Sequence, residues 1–272
     1  MTDCYANAMP PISVVICCAN VADTLEAALI STQWADERIV VDSGSTDTTP
    51  EIARRHADRY VVEPWRGYTA QKEYGASLAG NDWVFVLDGD EACSPALAEE
   101  LSALPEQDFD RHDVMLVRRR NFVMGRLVRP WNPDWQSRII HRQRCHWAQE
   151  VLHDARLPSD PSRVKKLRGW IEHKRHSAGG FRDYFDGALE DSRLMDVARA
   201  MHACGRRCHC WDLWLRPAAA FFKFYLIKRG ILDGSFGLLI AQKAARGAQL
   251  KYAALWAVQH GVGDAPQSQG KD

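Results

Sequence analysis

Apolar positions along this chain follow two rhythms. In the first hundred residues, short unbroken β-branched runs alternate with segments of helical spacing. Ile12–Cys18 (ISVVICC), Arg38–Val41, Tyr60–Val62 and Trp83–Leu87 (WVFVL) read as strands buried on both faces, because a half-exposed strand would alternate apolar with polar residues. Between them, Asp23–Ile30, Thr49–His56 and Gln71–Leu78 carry apolar residues at helical intervals. Strand and helix in turn predict an α/β fold, a mostly parallel sheet with right-handed crossovers and flanking helices. After Leu104 the rhythm loosens, with candidate strands at Val114–Val117 and Ser137–His141. From Phe181 the pattern becomes helical, with Pro217 and Gly230 as punctuation and a polar tail after Gly261. The prediction is an α/β domain over 10–180 and a helical, basic, membrane-facing extension over 181–260.

Composition changes this picture little, but charge does. With 46% hydrophobic and 26% charged residues in 272, the chain has the make-up of a folded protein and not of a disordered one. Lys+Arg and Asp+Glu both number 35, so the net charge is zero. Residues 205–251 hold nine Lys/Arg against Asp212 and Asp233, a local +7 that leaves −7 for the rest. Such asymmetry points to an anionic surface. Trp211, Trp214, Leu215, Ala218, Phe221, Phe222 and Tyr225 recur at helical spacing, with Arg216, Lys223 and Lys228 outside the stripe. An aromatic stripe beside basic residues suits a helix lying on anionic lipid; the stripe packing against the α/β domain is the alternative. No recognised nucleic-acid motif accompanies the charge, so a nucleic-acid partner is not expected. Ile12–Ala19 lacks the features of a signal peptide, and no run approaches the ~18 apolar residues of a spanning helix. The expectation is a cytoplasmic protein with reduced thiols, peripheral on the inner face of the cytoplasmic membrane.

Chemistry concentrates where strands end. Ligands of an open parallel sheet bind beyond the carboxyl ends of its strands. The second strand ends on Asp42, and the fourth on Asp88-Gly89-Asp90-Glu91. Two carboxylates one residue apart can offer oxygens to one hard cation, which can bridge a diphosphate and neutralise a leaving group. Gly89 leaves room for close approach to the backbone. The same acids have plainer uses. Asp47 and Asp42 can cap the following helix, Glu91 can be a first-turn acid, and Lys72 can be a solvated helix residue. Arg118, Arg119 and Arg120, and more weakly Arg138, are either a charged strand edge or phosphate partners.

ISVVICCAN, RIVVDSGSTDTT, Gln71-Lys72 and DWVFVLDGDE resemble the nucleotide-binding half of family 2 inverting glycosyltransferases with the GT-A fold. RRNFVMGR (Arg119–Arg126), WNPDWQSRIIHR (Trp131–Arg142), VLHD (Val151–Asp154), the His173 segment and the tail Trp211–Gly234 are similar to the lipopolysaccharide-core β-1,4-glucosyltransferase branch. The resemblance runs from about Pro11 to Tyr252. It implies that Asp42 meets the nucleobase or ribose, Asp88 the ribose and metal, and Asp90 serves as principal ligand of Mg²⁺ or Mn²⁺. It places Lys72 near the diphosphate and the turn ending near Asn20 beside the nucleoside. Inversion needs a general base for the acceptor hydroxyl. Asp154, with His153 beside it, is favoured, and Asp134 is the second candidate. The family usually carries His-Glu where this chain has His153-Asp154, and often an acid where it has Val21.

The implied reaction moves a hexose from a nucleotide diphosphate sugar, a UDP-sugar above others, to a lipid-linked saccharide such as lipopolysaccharide core. Two alternatives stand beside it. A non-catalytic, membrane-docked nucleotide-sugar-binding relative would retain the fold. A sugar nucleotidyltransferase would need a Gly-rich basic loop after the first strand, where this chain has CCANVADT.

Overall fold

The computed structural model describes residues 9–147, 156–175 and 192–262. The chain separates into two compact units, one of residues 1–127 with 132–178, the other of 128–131 with 179–272.

The first unit is built on one mixed sheet. Its strands are β1 (Ile12–Cys18), β2 (Glu37–Asp42), β3 (Arg59–Val62), β4 (Trp83–Asp88), β5 (Glu91–Cys93), β6 (Val114–Val123), β7 (Arg126–Leu127), β8 (Asp134–His141) and β11 (Val164–Arg175). They run in the order β3-β2-β1-β4-β8-β6-β11-β5, with β7 paired to β6, while β9 (Cys145–Trp147) and β10 (Arg156–Pro158) form a separate pair. The parallel quartet β3-β2-β1-β4 follows the apolar runs to within one residue at each end; β1, β2 and β4 are covered on both faces, and β3 lies at the exposed edge. Ile16, Cys18, Leu25, Leu29 and Phe85 pack on one face, and Val15, Cys17, Val41, Ala76 and Val86 on the other. Helices α1 (Ala22–Ile30), α2 (Thr49–His56), α4 (Pro95–Ser102) and α5 (Glu106–Arg111) supply Leu25, Ala53, Leu97 and Phe109 to the first cluster, and α3 (Tyr68–Ser77) supplies Ala76 to the second. Helix α3 lies close because of Gly75, where a Cβ would sit 2.6 Å from Val15 Cγ1.

Beyond β4 the sheet departs from simple alternation. β8 runs antiparallel to both β4 and β6, and β11 lies parallel to β6 but antiparallel to β5. The short β5 follows β4 after one tight turn, so Glu91 is a strand residue and not a first-turn acid; α4 begins only at Pro95. Two register relations position the chemistry. Cys17 pairs with Asp88 and Cys18 with Asp42, which brings the ends of β1, β2 and β4 to one edge. His173 of β11 lies between Asn121 of β6 and Glu91 of β5.

The second unit is helical over its described residues, with α6 (Ser192–Ala203), α7 (Asp212–Phe222) and α8 (Gly234–Gln259). Its small core joins Ala198, Cys208, Tyr252 and Leu255. Pro217, which the sequence marks as a break, instead lies inside α7. Gly230 meets the other expectation: a Cβ on Gly237 would overlap the Gly230 carbonyl, so the turn before α8 requires close backbone contact there. No helix among the described residues is long and apolar enough to cross a membrane.

Candidate active site

Strand order reverses between β1 and β4, and such a switch point opens a crevice at the strands' carboxyl ends. One side of this crevice is a pair of interlocked loops. Asn20, two residues past the end of β1, lies in the left-handed region at φ 51°, a conformation asparagine tolerates better than most residues. Its Oδ1 accepts the Thr46 N–H at 2.8 Å, and its own N–H donates to Ser45 Oγ at 2.8 Å. Asp42 is fully buried and accepts from Ser45 N–H at 3.0 Å, Ser45 Oγ at 2.6 Å and Tyr60 Oη at 2.7 Å. Burial, followed by the bond to Asp42, pushes the Tyr60 hydroxyl up to about 12, so it stays a donor. Asp47 accepts the N–H groups of Ala22 and Thr49, serving the starts of α1 and α2 together.

The Asp-Gly-Asp turn forms the floor. Gly89 is held by its N–H to the Cys17 carbonyl at 3.1 Å, and its own carbonyl accepts Thr24 Oγ1 at 2.8 Å. A Cβ there would lie 2.8 Å from both Cys18 Cβ and Val21 Cγ2, so no larger residue fits without movement. Asp88 sits between two cations: Lys72 Nζ reaches Oδ1 and Arg138 Nη2 reaches Oδ2, each at 2.8 Å. Burial alone would raise the Asp88 carboxyl, but the charges of Arg138 and Lys72 hold it well below the usual carboxylate range. Lys72 is therefore not a solvated helix residue; it is 5% exposed. Arg138 also donates to the fully buried Glu91 at 2.6 Å, and Arg119 reaches the same Oε1 at 3.3 Å.

A second chain of bonds leads to Asp90. Asp134 accepts from Arg119 Nε at 2.8 Å, Asn121 Nδ2 at 3.1 Å and Gln136 Nε2 at 2.6 Å. Since the Asn121 amide nitrogen faces a carboxylate, its Oδ1 faces His173 Nδ1, at 2.7 Å, and that ring nitrogen carries the proton. In the neutral ring the Nε2 lone pair then points at Asp90 Oδ2, 3.1 Å away. Two acceptors in that position need a proton or a cation to join them. The donor set of one imidazole nitrogen and one carboxylate oxygen suits Mn²⁺ or Mg²⁺. The Asn121 contact on Nδ1 is the kind of outer partner that orients a ligating histidine. The chemistry of this pair thus fits a divalent metal. Among the described residues no group of three or more His, Cys, Asp or Glu is placed to hold a metal ion, so the protein itself offers no more than this pair.

The two base candidates are placed unequally. Asp154 and His153 lie outside the described residues. Asp134 has three donors on its carboxylate; burial would raise it, but Arg119 and the hydrogen bonds lower it. A base needs an open lone pair and an affinity for protons near the working pH. The geometry gives Asp134 the work of orienting Arg119 and Asn121. Sequence reasoning missed Asn121, the buried role of Glu91 and the Tyr60–Asp42 bond. The first had a signal, a lone amide amid strand residues, but its meaning depended on β11 arriving alongside.

Residues 13–156 match the family model "Glycosyl transferase family 2". An uncharacterized glycosyltransferase of Rickettsia bellii is 38% identical over 127 residues, covering 44% of this chain and 43% of that protein. The lipopolysaccharide core biosynthesis glycosyltransferase LpsC of Rhizobium meliloti is 33% identical over 158 residues, 54% of this chain and 57% of that protein. The chain spans about half the length of the curated relatives it matches. Among solved structures, glucosyl-3-phosphoglycerate synthase from Mycobacterium tuberculosis, in complex with Mn²⁺, UDP and glucosyl-3-phosphoglycerate, aligns with a TM-score of 0.45 at 17% identity over 72% of this chain and 80% of that one. The matched segment contains Asn20, Asp42, Lys72, Asp88, Asp90 and Asp134, while His173 lies beyond it, and the chain belongs to glycosyl transferase family 2.

Proposed function

We propose that the chain is a metal-dependent inverting glycosyltransferase that moves a hexose from a nucleotide diphosphate sugar, a UDP-sugar above others, to a lipid-linked saccharide. The observation that carries this reading is the His173 Nε2–Asp90 Oδ2 pair, its tautomer set by Asn121, at the switch point between β1 and β4. Asp90 and His173 hold the divalent metal, and Asp88 stands beside them under the charges of Lys72 and Arg138. When bound, the metal supplies positive charge against the departing nucleotide diphosphate. Lys72 and Arg138 add fixed charge on the same side, in a setting dry enough for it to count. Asn20 and Asp42 border the nucleoside, through the loops they lock together. Asp154 takes the proton of the acceptor hydroxyl, and Asp134 positions Arg119 and Asn121.

The LpsC relative supports a lipopolysaccharide-core acceptor. The exposed aromatic residues of α7, with basic residues among them, support work at the cytoplasmic face of a membrane. The test is sugar transfer from a panel of nucleotide sugars to truncated lipopolysaccharide cores, followed by mass spectrometry. Transfer that Asp154→Asn abolishes and Asp134→Asn only slows agrees with this assignment. If Asp134→Asn alone is inactive, the base is misassigned; if the wild-type chain transfers to no acceptor, the catalytic reading fails.

A further inference from the structure

A concave basic pocket of about 340 Å³ lies within the C-terminal unit, beside the start of α7. Arg206, Arg207 and Arg216 line it, with His209, Trp211 and Tyr252 as aromatic walls. The His209 and Trp211 rings stack at 4.7 Å between centroids, and the Arg216 guanidinium lies over the Tyr252 ring at 5.3 Å. One acid is present. Asp212 accepts from Arg216 Nε at 3.0 Å and from the His209 N–H at 3.0 Å, so its charge is already matched. Arg207 donates to the His202 and Arg206 carbonyls and has no ion pair among the described residues. Arg206 forms no side-chain hydrogen bond or ion pair among the described residues. Three guanidinium groups against one carboxylate leave a local excess of +2 in a pocket with planar walls.

Guanidinium forks match the oxygens of a phosphate bidentately, as they do those of a carboxylate. What surrounds the pocket narrows the source of that phosphate. Trp211, a wall of the pocket, is 55% exposed, and one turn along α7 Trp214 is 82% and Leu215 64% exposed. Farther along the same segment Phe222, Ile227 and Leu232 are exposed too, among Lys223, Lys228 and Arg229. Large exposed apolar side chains grouped this way mark an interaction surface, and interleaved basic residues suit an anionic leaflet.

We propose that this pocket binds the phosphate of an anionic lipid headgroup while Trp211, Trp214 and Leu215 enter the interface around it. The proposal rests on the membrane reading above and adds a defined headgroup site to it. Charge near a leaflet is worth roughly fivefold in partitioning per basic residue. A pocket site should therefore lose binding steeply when its own arginines go, and a diffuse basic surface should not distinguish which charges are removed.

The experiment is co-sedimentation of the full chain, at one fixed ionic strength, with phosphatidylcholine vesicles with and without phosphatidic acid. Wild type should bind the acidic vesicles, and Arg206→Gln with Arg216→Gln should weaken this by roughly 25-fold. Lys243→Gln with Arg246→Gln removes the same charge from α8 and should cost no more than about fivefold. Arg206→Gln alone, which breaks no hydrogen bond or ion pair among the described residues, should cost about fivefold and controls for misfolding of the pair. Equal losses in the pocket and α8 variants overturn the pocket site while leaving membrane binding intact. Wild type that binds no acidic vesicle overturns both. Inorganic phosphate that binds the pocket as tightly as the vesicles do assigns it to a soluble anion, and the lipid proposal falls.

Discussion

Replacing Asn121 by Leu isolates the bond chain that sets the His173 tautomer. Asn121 is 3% exposed and His173 8%, so water cannot replace what is lost. Leucine repeats the branched outline of asparagine with bulkier methyl ends, so the substitution leaves no cavity. The His173 Nδ1–H loses its 2.7 Å acceptor, and a buried donor left without a partner costs about 1–3 kcal/mol. Asp134 loses one of its three donors, but it keeps Arg119 and Gln136 and is 24% exposed, so its share is below about 1 kcal/mol. Removing the buried amide itself returns part of this. A net loss of about 1.5–3 kcal/mol is expected, read from urea unfolding at neutral pH. The functional effect should be larger than the structural one. Losing the outer partner of a ligating histidine weakens metal affinity by about 10–100-fold. Mn²⁺ titration of nucleotide binding should shift by that factor in Asn121→Leu, with nucleotide affinity at saturating metal recovering. An unchanged Mn²⁺ dependence in a folded Asn121→Leu variant would refute the assignment of His173 to the metal.

Three further outcomes follow from the geometry. Gly89→Ala places a Cβ 2.8 Å from Cys18 Cβ and Val21 Cγ2, so overpacking should cost about 1–3 kcal/mol and displace the Asp88–Asp90 turn; unfolding curves and nucleotide binding that match wild type contradict this. The Asp134 carboxyl is lowered in the fold, so its stabilisation is present above the unfolded value of about 3.9 and lost as pH falls through the folded one. The stability deficit of Asp134→Asn should accordingly be largest at neutral pH and shrink below about pH 4; a deficit that grows toward acid reverses the sign and the argument. Burial pushes the Cys17 and Cys93 thiols up to about 12, whereas Cys204 and Cys210 are exposed. Iodoacetamide on the native chain near pH 8 should label Cys204 and Cys210 and spare Cys17 and Cys93, as peptide mass mapping would show.

β1, β2 and β4 were legible because they are covered on both faces, which forces unbroken apolar runs. Ile12–Cys18 and Thr49–His56 match their expected spans, and the ends of β2 and β4 fall on Asp42 and Asp88. β5 and β11 were not legible. β5 is three residues long and carries the buried charge of Glu91, and β11 interleaves Lys165, Lys166, Arg168 and Lys174 with its apolar positions. Both depend on partners distant in sequence: β11 needs glycine at 169 because a Cβ there would come 2.5 Å from Leu97 Cα. The site followed the same division. Acidic strand ends announced Asp42, Asp88 and Asp90, since a carboxylate after an apolar run is conspicuous. What Lys72, Glu91, Asn121 and Asp134 do was hidden, because each answers to a residue 13 or more positions away. In the C-terminal unit the aromatic stripe was visible as spacing, but the pocket behind Trp211 needed α7 and α8 to meet.

The proposed nucleotide site is completed by a metal at Asp90 and His173. Its most direct test is calorimetric titration of the full chain with UDP, GDP, CMP and ADP, each with and without Mn²⁺, beside Asp90→Ala. One nucleotide should bind, UDP above the others, only with Mn²⁺ present and only when Asp90 is intact. Nucleotide binding that is indifferent to Mn²⁺ and survives Asp90→Ala, or no binding under any condition, would contradict the account.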